Sequence, residues 1–145
     1  MMEKNFLQPK FPKPESVGDR EWGTEELLVL VSGKYSLKKI FLKAGCKGGL
    51  QFHRQKNECG IIISGKMIVK FDDGTGVLVE KTVGEGDVFH FEPGVVHQTE
   101  AISDTVYIEA STPHFNDRVH VENIYGLSKE SGGLPTTTVD QIEIR

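Results

Sequence analysis

The chain has 145 residues, enough for one domain around one core. Apolar residues make up 37%, the formal charge is −4, and no run of about 18 consecutive apolar residues occurs. This balance argues against the basic field of a nucleic-acid or anionic-membrane binder and against a spanning helix. Residues 1–5 lack the apolar stretch of a secretory signal, so a cytoplasmic location is expected. Cys46 and Cys59 form no CxxC or Cys/His cluster and are expected to be reduced thiols, one in a turn and one in a strand.

In chain order, residues 1–20 carry Pro9, Pro12 and Pro14 and little apolar periodicity, which predicts an arm lying on the domain. From Leu27 the sequence breaks into short β-type runs: 27–31, 35–42, 50–53, 58–63, 66–71, 77–82, 87–91, 98–102 and 105–110. Turn signals separate them, among them Ser32-Gly33, Gly48-Gly49, Ser64-Gly65, Asp72-Asp73-Gly74 and Pro93-Gly94. Many short strands with almost no helical period predict an all-β sandwich or barrel over residues 21–115. A short helix is expected near 24–28 or in the tail. The polar tail, 116–145, is expected to pack irregularly on the barrel.

Two segments carry the chemistry. The first reads Gly45, five residues, Gln51-Phe52-His53, four residues, Glu58, six residues, Gly65. The second reads Gly86-Asp87, then Glu92-Pro93-Gly94, two residues, His97. Strand alternation points Gln51 and His53 the same way. A turn at 54–57 is expected to bring Glu58 back on the neighbouring strand, with His97 opening another strand inside the same barrel. Two imidazoles and a carboxylate with open positions suit a divalent transition metal (Zn, Mn, Co, Ni or Fe), with Gln51 as a weak fourth ligand or a group that orients water or substrate. His90 can line the cavity or face outward; His114 and His120 are expected at the surface.

Both segments resemble the two-part cupin signature in every spacing, which implies a single double-stranded β-helix, or jelly-roll, barrel. More narrowly, the chain resembles the cupin domain of type II mannose-6-phosphate isomerases, also found fused to mannose-1-phosphate guanylyltransferases. The likeness runs from Glu21-Trp22-Gly23-Thr24-Glu25-Glu26 through Tyr35-Ser36-Leu37-Lys38-Lys39, Leu50-Gln51-Phe52-His53, Glu58, the run Ile61-Ile62-Ile63-Ser64-Gly65, Gly86-Asp87, Pro93-Gly94, His97 and Ile108-Glu109, to the tail from Asp117 that ends Glu122-Asn123-Ile124-Tyr125-Gly126. It implies a metal-dependent aldose–ketose isomerisation of a sugar phosphate through an enediol, with the metal polarising substrate oxygens. Glu58 and His90 are the catalytic candidates. The base is open among His90, Glu109 and a hydroxide on the metal, because Glu58 cannot easily be both a firm ligand and a free base.

The chain departs from that family at Arg54 and Gln55, where further histidines are usual, and at His120 and Leu127, where arginines are usual. Arg54, Lys56 and Arg118 can supply the missing cations, and Arg54, Lys56 and Glu109 are the expected substrate-binding residues. An Fe(II) dioxygenase or lyase and a non-catalytic sugar-binding cupin are the competing readings. The small-molecule partner is expected to be a sugar or sugar phosphate. A homodimer is expected through the apolar arm around Phe6 and Phe11.

Overall fold

A computed structural model describes residues 6–115 and 117–128. Its strands are β1 (Glu15–Arg20), β2 (Gly23–Val31), β3 (Tyr35–Leu42), β4 (Gln51–His53), β5 (Glu58–Ser64), β6 (Lys66–Asp72), β7 (Leu78–Gly84), β8 (Val88–Phe91), β9 (His97–Ala101), β10 (Thr105–Ser111) and β11 (Arg118–His120). They form two antiparallel sheets: a six-stranded one in the order β1-β2-β3-β10-β5-β8 and a five-stranded one in the order β11-β4-β9-β6-β7. This is the expected all-β jelly roll.

Turn chemistry and alternation explain most boundaries. β3 alternates buried Ser36, Lys38, Ile40 and Leu42 with more exposed residues, and β10 matches it with Thr105, Tyr107, Glu109 and Ser111. Gly65 marks the crossing from β5 in one sheet to β6 in the other. Its φ is 91°, and a side chain there would run into the Asp104 carbonyl. Between the sheets, Leu42, Ile62, Met67, Val69, Val83 and Ala101 belong to the main core cluster. A satellite of Val17, Leu27 and Phe115 ties β1 to the barrel.

Three expectations change. Residues 24–28 lie within β2, not a helix: Glu25 and Leu27 are buried, and the segment pairs with β3, so tertiary pairing overrides the helix propensity of Glu and Leu. The helical turn is in the tail, a 3-10 helix over Glu122–Tyr125. The segment expected as an arm contains β1, and the tail contains β11 paired to β4. The rest of the tail, 129–145, lies outside the described residues. Among the described residues, no helix is long and apolar enough to cross a membrane.

Candidate metal centre

β4 is short, and its pattern buries Gln51 and His53 while Phe52 turns outward. β9 begins at His97, which pairs in register with Gln51, so three of the four expected ligands stand on the five-stranded sheet. Glu58 opens β5 in the six-stranded sheet. The turn at 54–57 therefore carries the chain across the sandwich rather than to a neighbouring strand. Glu58 meets the imidazoles face to face.

The meeting is close. Glu58 Oε1 lies 3.1 Å from His97 Nε2 and 3.4 Å from His53 Nε2, and ligand-type atoms of the three residues all fall within 4.8 Å of one another. The other ring nitrogens are engaged. His97 Nδ1 donates to the Val95 carbonyl at 2.9 Å, and its ring stacks on Phe91 at 4.0 Å. His53 Nδ1 meets Asp117 Oδ1 at 3.1 Å, while Asp117 Oδ2 accepts from the Gln55 and Lys56 amides at 2.7 and 2.8 Å. Holding Nδ1 in this way presents Nε2 inward, the outer-shell arrangement usual for metal-ligating histidines. Gln51 Oε1 is buried and finds no hydrogen-bond partner among the described residues. Two lone pairs on imidazole, a carboxylate oxygen and an orphaned amide oxygen fit a divalent transition metal held by His53, Glu58, His97 and Gln51.

The surroundings are charged. Lys56 Nζ lies 3.1 Å from Glu58 Oε2 and 3.5 Å from Glu109 Oε1, so Oε1 of Glu58 is left to face the imidazoles. Burial opposes the Glu58 charge, but Lys56 and hydrogen bonds from Glu109, His53 and His97 hold its carboxyl well below the usual range. Burial pushes Glu109 up to about 8, against the pull of Lys56 and with a further push from Glu58. Burial disfavours the Lys56 ammonium, yet the Glu109 and Glu58 carboxylates raise its pKa above the ordinary value. Burial, then Glu109 and Glu58, pushes the Tyr107 hydroxyl well up.

A cavity of about 80 Å³ adjoins this cluster. Gln51, His53, Lys56, Glu58, His97 and Glu109 all line it, as expected. Two candidates do not. His90 is exposed on the outer face of β8, because Phe89 and Phe91 take the inward positions, and its Nε2 bonds Asn57 Oδ1 at 2.7 Å. It has no place in the catalytic cavity. Arg54, next along the chain from the inward His53, is exposed and does not line the cavity. His114, expected at the surface, lines the cavity, whereas His120 stays at the exposed edge beside Glu122. Arg118, weighed only as a compensating cation, also lines it.

Sequence reasoning missed Trp22, Glu25, Lys38, Tyr107, Phe115 and Asp117 in the wall. Lys38 carried a usable signal, since it shares the period-2 face of Ile40 and Leu42. Asp117 opens the stretch of tail that the family resemblance covers, but its role was hidden, because its contact with His53 spans 64 residues of chain.

A family model described as Cupin domain matches residues 38–110, half of the chain, including His53, Glu58 and His97. Similar solved structures include the capsular polysaccharide assembling protein CapF from Staphylococcus aureus (20% identity, TM-score 0.66, 81% of this chain and 33% of that one). An RmlC-like cupin from Shewanella frigidimarina is similar at 21% identity and TM-score 0.61, over 72% of this chain and 88% of that one. Oxalate decarboxylase from Bacillus subtilis is similar at 18% identity and TM-score 0.69, over 91% of this chain and 40% of that one. The chain thus spans about a third of the length of CapF. No curated protein matches the chain. At these identities the solved structures speak for the fold, and the matched half, with the ligand set inside it, means that the chain belongs to the cupin domain family.

Proposed function

We propose that the protein is a metal-dependent cupin acting on a sugar or sugar phosphate, most like an aldose–ketose isomerase of the mannose-6-phosphate type. The observation that carries this reading is the placement of Glu109 and Lys56 against the ligand carboxylate of Glu58 in one buried cavity. The metal would supply Lewis-acid polarisation of substrate oxygens. Glu109 would take the proton from C2 and deliver one to C1, so that its own protonation state is restored over the cycle. Lys56 holds Glu58 and Glu109 in register, and its ammonium offsets negative charge as the enediol forms. Phe89 and Phe91 close one side of the cavity with apolar surface.

Two measurements test the reading. Elemental analysis of protein purified without a chelating column should give about one Zn, Mn, Co or Ni per chain, lost in His53→Ala. Incubation of the loaded protein with mannose 6-phosphate in deuterated water should yield fructose 6-phosphate carrying deuterium at C1, and Glu109→Gln should abolish ketose formation. A fully loaded protein that converts no aldose phosphate or free aldose to its ketose would sink the isomerase. Iron with oxygen uptake would transfer the site to the dioxygenase reading.

We also propose that two copies associate. Phe6, Leu7 and Phe11 are exposed on the arm, and Ile61, Ile63 and Val88 are exposed on the outer face of β5 and β8. Each apolar surface suits the other across a two-fold axis. Sedimentation should give twice the chain mass, and a monomer at high concentration would refute it.

A further inference from the structure

The inner face of the six-stranded sheet carries more charge than a metal centre uses. Crossing it strand by strand, Glu25 of β2, Lys38 of β3, Glu109 of β10 and Glu58 of β5 all turn inward and are buried. Lys38 stands directly opposite Glu109 in register, two strands from Glu58. Its Nζ donates to Glu25 Oε1 at 2.8 Å and lies 5.0 Å from the Phe115 ring centroid. A buried ion pair of this kind is weak evidence for stability, since apolar replacements of both partners are often neutral or stabilising. Its presence on a cavity wall calls for another reason.

Trp22 gives one. Its side chain lines the same cavity, it is 8% exposed, and its Nε1–H finds no hydrogen-bond partner among the described residues. An indole N–H can only donate, so among the described residues a buried donor is left without an acceptor. Lys38 and Arg118 are also donor-only groups, and both line this cavity. The Trp22 donor calls for an oxygen acceptor, and the Lys38 and Arg118 cations on the same wall, although they have partners of their own, favour a negatively charged one.

We propose that the cavity holds an anionic head, a phosphate or a carboxylate, whose oxygens accept from Trp22 Nε1–H, Lys38 and Arg118 beside the metal centre. This rests on the preceding reading and deepens it, because it makes the substrate an acid rather than a neutral sugar. Glu25 fixes the direction of the Lys38 ammonium. The set lies apart from Arg54, which the cavity does not include.

Trp22 is the one tryptophan of the chain, so its fluorescence reports from the wall itself. The metal-loaded full chain is titrated with sodium phosphate and, separately, with sodium acetate at constant ionic strength. A saturable emission change is expected with one of them, phosphate marking a phosphorylated ligand and acetate a carboxylic acid. In Lys38→Met combined with Glu25→Leu, which removes both members of the ion pair, affinity should fall about tenfold or more, as for loss of a charge-assisted hydrogen bond. No saturable change with either anion, or unchanged affinity in the folded double variant, overturns the proposal. If the double variant does not fold, Trp22→Phe is followed by the thermal shift that the anion produces; a reduced shift supports the donor and an unchanged shift overturns it. Anion binding without isomerisation sinks only the isomerase. Turnover of a neutral sugar without anion binding sinks only this inference.

Discussion

The two ends of the same sandwich are built from the same strands and differ in everything that lies between them. Along β3 the inward residues pass from Ser36 and Lys38 to Ile40 and Leu42; along the facing β10 they pass from Ser111 and Glu109 to Tyr107 and Thr105. β5 runs from Glu58 to Ile62, and β9 from His97 to Ala101. One end therefore ends up apolar and close-packed, and the other holds ionisable groups that shift one another's protonation, Glu58 held charged and Glu109 pushed up to about 8. The lesson is a division of labour within each strand: four or five residues are enough to change from holding the layers together to holding a ligand.

If that division is real, damage at each end should have separate signatures. The largest effect is expected at the apolar end. Leu42 is fully buried, and Leu42→Ala should lose about 3 kcal/mol in urea unfolding, with and without metal, while metal per folded chain stays unchanged. A variant that also shed its metal would show the two ends to be one unit.

At the polar end, His97→Ala should remove most of the bound metal and with it the thermal stabilisation that the ion confers. That stabilisation is about 2.7 kcal/mol at a free concentration one hundred times Kd. The metal-free variant should unfold close to metal-free wild type, because Glu58 keeps Lys56 and His53 as partners when the His97 imidazole is gone. Full occupancy in this variant would remove His97 from the ligand set.

Acid–base behaviour sharpens the contrast further. Burial raises Glu109 to about 8, above its ordinary carboxyl value, so the folded metal-free protein binds the proton more tightly than the unfolded chain. Its contribution to stability is complete below the ordinary glutamate range and is lost as the pH climbs through about 8. Metal-free wild type should therefore lose melting temperature between pH 5 and 8, and Glu109→Gln should flatten that slope. An identical slope in the variant would assign the proton elsewhere.

The smallest effect is expected outside both ends. The Tyr125 hydroxyl, with the Gly76 and Gly74 amides, holds the Asp72 carboxyl below its usual value. That favours the fold above the ordinary aspartate range and disappears as pH falls through the lowered value. Tyr125→Phe should slightly lower stability above the ordinary aspartate range, leave it unchanged at the acid extreme and so flatten the fall below about pH 5 where carboxylates titrate, with metal content unaltered.

Much of this was legible in the residues. Nine strands and the His53, Glu58, His97 set announced themselves through turn glycines and spacing, because those depend on local backbone chemistry. Sheet membership did not: nothing in the sequence of 54–57 says that β4 and β5 fall in opposite layers. β1 and β11 were hidden because a proline-rich lead-in and a polar tail become strands only by pairing with β2 and β4. His90 is a different kind of miss. Val88-Phe89-His90-Phe91 has alternation, and the two phenylalanines claim the inside, so strict use of the two-residue period would have turned the imidazole outward.

Asp117 has a consequence for where this domain stops. The recognisable barrel closes at residue 110, yet the carboxylate that fixes the tautomer of His53 and fastens the Gln55 and Lys56 amides comes from beyond it. Trimming the chain to its recognisable barrel would keep His53, Glu58 and His97 and lose the group that aims His53. A single acid in the C-terminal overhang orients an imidazole that belongs to the barrel.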